Sequence, residues 1–460
     1  MNDKGKIMAK LNTLAQNNPV SQQDNPVLQG NFGPVDVEQV LERLNVVGEV
    51  PADLNGSLLR MGPNPVNPEP NHHWFQGDGM LHGIEFHNGQ ASSYRNKWVR
   101  TEALEQKLGL AAAPVSEARL MIQGSGNVNV VHHGGRVLAL SEIGLPFEMG
   151  VETNTLRMFD YEGRLASNMT AHPKIDGETG EMLFFGYDLM PPFLKFHTAN
   201  AAGELVRSVD IELPRAVMMH DFGVTASRVV FMDLPVVGDF GVMEQGFSMP
   251  FSWDDNHQSR LGVLDRDATS DTVHWIDIDP CYVFHPLNTY DDGHKIVMDV
   301  VKYNKMFTTP DDDSYEPGSN LVRWVIDPEL NRVTETVISD VDQEFPRINP
   351  KVECHRHTFG YALETGGPQG FKGLLKYNFE AGTSTRYDVG TNKSAGEPVF
   401  VPYGAGEDEG YILSVVYCAD SNLSEVHILD AHQFGEKPLA IVELGARVPF
   451  GFHGNFVPAE

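Results

Sequence analysis

Arg136–Ser141 (RVLALS), Glu181–Tyr187 (EMLFFGY), Arg228–Leu234 (RVVFMDL), Lys295–Val301 (KIVMDVV), Leu321–Asp327 (LVRWVID), Tyr411–Tyr417 (YILSVVY) and Glu425–Leu429 (EVHIL) share one character. Each is a short apolar run of strand length, rich in β-branched and aromatic residues and bounded by turn formers, which reads as a buried strand. Helical periodicity is scarce and confined to Arg100–Leu110 and Ser116–Ile122. Asp36–Val47 (DVEQVLERLNVV) reads as a turn or two of helix or as an extended lead-in. An all-β unit this long exceeds a simple sandwich, and radial repetition of small sheets is the usual way to hold so many strands around one centre. No repeat of fixed period stands out, so the expected architecture is a propeller with degenerate blades and long loops.

Composition narrows the class. The 460 residues carry 34 Lys and Arg against 63 Asp and Glu, a formal charge of −29. Such a chain lacks the basic stripe that nucleic acid requires, so no nucleic-acid partner is expected. The 44 Gly and 29 Pro fit a turn-rich β protein. Cys281, Cys354 and Cys418 are scattered, with no CxxC, which fits a reducing compartment better than a disulfide framework. Residues 1–30 read as a polar, flexible tail without a secretory core, residues 31–460 as a single domain, and the expected location is cytoplasmic. Leu189–Phe196 (LMPPFLKF) offers an apolar stretch for peripheral membrane contact, with packing as the plainer role.

The chain has 18 histidines. His72, His73, His132, His133, His355 and His357 sit in polar, turn-like contexts and read as solvated or hydrogen-bonded surface groups. His87, His257, His294, His427 and His432 read as exposed. Four others lie at apolar strand ends beside turn formers: His172 (TAHP), His220 (MMHDF), His285 (VFHPLN) and His453 (FGFHGN). Taken singly, each also reads as a satisfied core histidine. Their separations of 48, 65 and 168 residues are unlike any local metal motif. In a propeller, however, the innermost strands of distant blades face one axis. Four neutral imidazoles gathered there suit a first-row divalent metal such as Fe(II) (Fe2+). Glu142, Glu344 and Glu397 stand in apolar contexts where an unpaired charge is costly. They read either as carboxylates receiving the second ring N–H of a ligand histidine or as partners of an arginine.

The same segments carry a family resemblance. Leu59–Pro65 (LRMGPNP), His73–His82 (HWFQGDGMLH), Trp98–Thr101 (WVRT), Thr170–Pro173 (TAHP), Glu344–Pro346 (EFP), Arg386–Asp388 (RYD), Gly396–Phe400 (GEPVF) and Phe452–Gly454 (FHG) occur in order between about Asn31 and Pro458. Together they resemble the carotenoid cleavage oxygenases, a family that includes apocarotenoid oxygenases, lignostilbene dioxygenases and the retinoid isomerohydrolase. The resemblance implies a seven-bladed β-propeller capped by loops and short helices, with a mononuclear non-haem Fe(II) on the axis. It places the family's four ligands on His172, His220, His285 and His453, and its supporting glutamates on Glu142, Glu344 and Glu397. It implies a dioxygenase that splits a C=C bond of an apolar polyene or aromatic alkene with O2 into two carbonyl products. Lignostilbene-type members carry a Lys just before the first supporting glutamate, and here that position is Ser141, which favours a carotenoid or apocarotenoid over a stilbene or phenylpropenoid. Met61, where Asn is common, is expected to have only a local turn effect. Phe193, Phe196, Phe240, Phe251, Trp253 and Phe307 are available for an apolar tunnel or for the core. A propeller that binds a ligand without redox chemistry is the reading from a different class.

Overall fold

The computed structural model describes residues 25–110, 123–150, 152–239, 241–242, 249–308, 318–366 and 370–459. Its strands form seven antiparallel blades in chain order, plus a small hairpin of Val236–Gly238 with Phe251–Trp253 inserted in the fourth blade. The second blade is the simple case: Asn129–His133, Arg136–Leu140, Phe147–Met149 and Thr155–Met158 pair in succession from the axis outward. The third, fifth and sixth blades repeat this meander from Lys174, Tyr282 and Gln343.

The ring closes at the termini. Gly454–Pro458 pairs with Gly56–Pro63 as the innermost strand of the first blade. Gln39–Glu42 covers the outer edge of that blade, and Asn45–Gly48 pairs with Ala440–Glu443 at the outer edge of the seventh. Asp36–Val47 is thus extended rather than helical. Several neighbouring innermost strands pack side by side around the axis, among them Gly454–Pro458 against Asn129–His133 and Tyr282–Asp292 against Gln343–Arg347, which confines their inner edges.

Burial explains which strands were readable. The second strands, such as Met182–Tyr187 and Arg228–Asp233, are sandwiched between blades and buried along almost their whole length. They therefore appear as continuous apolar runs. Outer strands such as Leu205–Glu212 alternate buried and exposed, and Thr383–Tyr387 is mostly exposed. Leu194 and Phe196 of the Leu189–Phe196 segment are buried against the core of the third and fourth blades.

Several expectations change. Residues 25–30 do not form a tail: Pro26–Leu28 makes a 3-10 turn with Val27 buried, and Asn25 donates to the carbonyls of Pro70 and His72. Helix is found at Glu102–Lys107, capped by Thr101, whereas Ser116–Ile122 lies outside the described residues. Met61 is not in a turn. It is fully buried within Gly56–Pro63, and its backbone bonds to Phe452 and His453. His73, His133, His257, His357 and His427 are buried rather than exposed. Each has a partner that makes burial tolerable: His257 Nε2 lies 2.8 Å from Asp233, and His427 bridges Glu425 and the Tyr387 hydroxyl. The three cysteines are free thiols.

Packing inside a blade is tight enough to exclude single atoms. A Cβ at Gly186, in the second strand of the third blade, would lie 1.8 Å from the carbonyl oxygen of Asn168. Gly186→Ala is therefore expected to destabilise the chain by about 1–3 kcal/mol. Thermal unfolding checks this, and an unchanged midpoint would contradict it.

Candidate metal centre

Each blade delivers one chemically distinctive residue to the axis. His453, immediately before the innermost strand Gly454–Pro458, comes from the first blade. Glu142 follows Arg136–Leu140 of the second. His172 and His220 lie just before the innermost strands of the third and fourth, Lys174–Ile175 and Gly223–Val224. His285 sits within Tyr282–Asp292 of the fifth, where the pairing register shifts between Val283 and Pro286. Glu344 is in Gln343–Arg347 of the sixth, and Glu397 precedes Val399–Pro402 of the seventh. The local sequence suits these positions, since Pro and Gly beside His172, His285 and His453 interrupt regular pairing where a ring must turn inward.

The four imidazoles meet. One ring nitrogen from each of His172, His220, His285 and His453 lies within 4.8 Å of the others. His220 Nε2 and His285 Nε2 are 3.2 Å apart. The His172 ring centroid is 4.4, 4.9 and 4.6 Å from those of His220, His285 and His453. All three expected glutamates reach the other face of a ring. Glu344 Oε2 is 2.5 Å from His285 Nδ1, and Glu397 Oε1 is 2.9 Å from His453 Nδ1. Glu142 Oε2 is 2.9 Å from His220 Nδ1, but off the line of a good hydrogen bond. A carboxylate at Nδ1 holds the proton there and leaves Nε2 with its lone pair pointing inward.

A further layer holds the carboxylates. Tyr187 donates to Glu142 Oε1 at 3.0 Å, and Tyr303 donates to Glu344 Oε1 at 3.1 Å. Arg347 donates to Glu397 Oε1 at 3.1 Å, and the Gly454 N–H donates to Oε2 at 2.7 Å. Both readings of the glutamates therefore hold at Glu397, which serves a histidine and an arginine together. Burial opposes its ionisation, but Arg347 and His453 outweigh that and hold its pKa at about 2. Burial lowers His172 well below the ordinary imidazole range, with His220, His453 and His285 adding to it. Burial also takes His453 down to about 4, although Glu397 pulls the other way. His220 is the exception: burial opposes its charged form, but Glu142 prevails and raises it.

His172 has no glutamate. Its Nδ1 lies 3.8 Å from Asp221, whose carboxylate is paired with Lys174 at 2.8 Å. Asp221, Lys174, Tyr187, Tyr303 and Arg347 did not emerge from the sequence, where the one available signal was the adjacency of Asp221 to His220. His172 Nε2 is buried without a hydrogen-bond partner. An unpartnered buried nitrogen is costly, and inward lone pairs close together repel. A cation between them removes both penalties. The donor set of four imidazoles fits a divalent first-row metal such as ferrous ion.

A largely apolar cavity of about 450 Å³ abuts the cage. Phe75, Phe251, Phe284, Phe345, Phe452 and Tyr187 supply its aromatic wall. Of the aromatic residues considered from sequence, only Phe251 lines it. Phe196 and Phe307 are in the core, Phe193 and Trp253 pack against it, and Phe240 lies outside the described residues.

A seven-bladed propeller with imidazoles gathered at its hub defines a propeller metalloenzyme. The family model described as retinal pigment epithelial membrane protein, RPE65, matches residues 32–458. The chain is 34% identical to a carotenoid cleavage oxygenase of Mycobacterium tuberculosis, with 95% of this chain and 98% of that protein covered. It is 32% identical to the carotenoid 9,10(9',10')-cleavage dioxygenase of Crocus sativus, covering 94% and 89%. Among solved structures, lignostilbene dioxygenase of Pseudomonas brassicacearum superposes with a TM-score of 0.86 at 26% identity, covering 96% and 100%. Cobalt-substituted ACO of Synechocystis shares the fold, with a TM-score of 0.83 at 24% identity over 96% and 100%. The chain belongs to the carotenoid cleavage oxygenase family.

Replacing Glu344 by Ala strips the partner from His285 Nδ1 and from the Tyr303 hydroxyl. Metal retention is expected to weaken by about 10–100-fold, measured by chelator competition. Retention equal to the parent would contradict the role given to this carboxylate.

Proposed function

We propose that His172, His220, His285 and His453 hold Fe(II), and that the protein cleaves a C=C bond of a carotenoid or apocarotenoid with O2 into two carbonyl products. The observation that carries this reading is the aromatic cavity opening directly onto the imidazole cage. Bound ferrous ion supplies the redox and spin partner that lets triplet dioxygen react with a closed-shell alkene.

The chain's own residues do the rest. Phe75, Phe284 and Phe452 offer faces and edges to a flat conjugated chain and exclude water from the reacting bond. Rigid walls fix which double bond lies beside the cage, so selection rests on length and shape more than on polar contacts. The buried carboxylates of Glu344 and Glu397 keep the Nδ1 protons of His285 and His453 in place, and together with the partly exposed Glu142 they balance the charge of a centre with no acidic ligand.

A stilbene substrate is the second reading, favoured by the close superposition on lignostilbene dioxygenase. Ser141 argues against it. Its Oγ accepts from the Ser125 and Gly126 N–H groups at 2.9 and 2.6 Å, and it supplies no cation to a phenolate.

Incubation of the iron-loaded protein with a panel of polyenes and stilbenes, followed by product mass, separates the two. Aldehydes or ketones from a polyene are expected; products from stilbenes alone would overturn the assignment. His220→Ala is expected to abolish turnover and iron retention together. Normal values of both would remove His220 from the ligand set.

A further inference from the structure

A second cavity, of about 290 Å³, also reaches the cage. The apolar cavity arrives past His220 and this one past His172, while His285 and His453 border both. Its lining is mixed, with Asn129, Lys174, Asp221, Arg347, Glu353 and Asn455 as the polar and charged part beside apolar residues such as Val131, Leu287 and Phe400. Its rim includes the exposed His132, Gly177 and Pro350, so it opens to solvent.

The charges are unevenly matched. Lys174 neutralises Asp221 and Arg347 neutralises Glu397. Glu353 makes no ion pair among the described residues; its Oε2 accepts the Ile175 N–H at 3.1 Å, and burial raises its pKa although the charges of Lys174 and Arg347 pull the other way. At the inner end, His172 is 6% exposed and its Nε2 is unpartnered. A carboxylate in the wall with no ion-pair partner and a nitrogen without a donor at the base mark a path for a positive ion. The aromatic cavity has carboxylates in its wall too, but its surface is mostly apolar and offers such an ion fewer groups with which to replace its water.

We propose that this polar cavity is the entry path for the hydrated metal ion. Glu353 is the carboxylate that receives the cation, and the Lys174 ammonium beside His172 opposes its final approach. The inference rests on the four-histidine reading of the metal site. The chain's charge of −29 concentrates divalent cations near the surface in the first place.

Cobalt(II) makes entry visible, because its d–d absorption shifts and strengthens when nitrogen ligands replace water. Metal-free full-length chain is mixed with Co2+ in a stopped-flow instrument. Glu353→Gln, which keeps the acceptor for Ile175, is expected to load about three-fold or more slowly, and Lys174→Gln faster by a similar factor. Both are expected to end at the parental cobalt stoichiometry. Opposite signs distinguish an electrostatic path from general loosening, which moves both variants the same way. The parental chain gives two further readings: uptake slows as salt rises, and it is unaffected when the aromatic cavity is filled with a linear polyene alcohol. Parental rates in both variants, shifts of the same sign, or uptake blocked by the polyene alcohol would overturn the path alone. A parental chain that takes up no cobalt would overturn the metal reading beneath it.

Discussion

The hydrogen bond from an imidazole Nδ1–H to a buried carboxylate is the constraint on which this molecule turns. It decides which nitrogen of the ring keeps its proton, and so which one faces the axis as a lone pair. Glu344 and Glu397 impose it on His285 and His453, and Glu142 acts on His220 chiefly through its charge. Two tyrosines and an arginine then hold the carboxylates. Stripped of that layer, the cage would be four basic groups crowded without a reason to point inward. The propeller makes the arrangement possible because it brings one residue from each of seven distant segments to the same few ångströms.

The cage also partitions the interior. Its aromatic side suits an extended apolar molecule, and its charged side suits water and ions. A centre whose ligands are all neutral needs both. It must keep bulk water away from the reacting bond, yet it must connect to carboxylates that balance a divalent ion. Glu397 illustrates the compromise: it borders the polar cavity, pairs with Arg347, and still fixes His453, which touches both spaces.

Much of this was legible in the sequence, and the limits were physical. The second strands of the blades stood out because neighbouring blades bury both of their faces, as in Met182–Tyr187. The innermost strands did not, being short or interrupted, as Lys174–Ile175 is. The outer strands were hidden because their exposed faces are polar, as in Thr383–Tyr387. His172, His220, His285 and His453 were found through their setting beside turn formers and through the family resemblance, since no spacing ties them. The five misassigned buried histidines failed for a complementary reason. A polar sequence context says nothing of a partner far along the chain, such as Asp233 for His257 or Asp299 for His357. Phe75 and Phe452 are hidden for the same reason: they lie far apart in the chain, and only the ring of blades brings them together on the cavity wall.

An iron-edge anomalous difference map from crystals of the iron-loaded protein tests the central claim most directly. A single strong peak enclosed by the Nε2 atoms of His172, His220, His285 and His453, with no carboxylate in contact, is the predicted result. A hub without the peak, or a peak held elsewhere by carboxylates while the four rings turn away from one another, would contradict it.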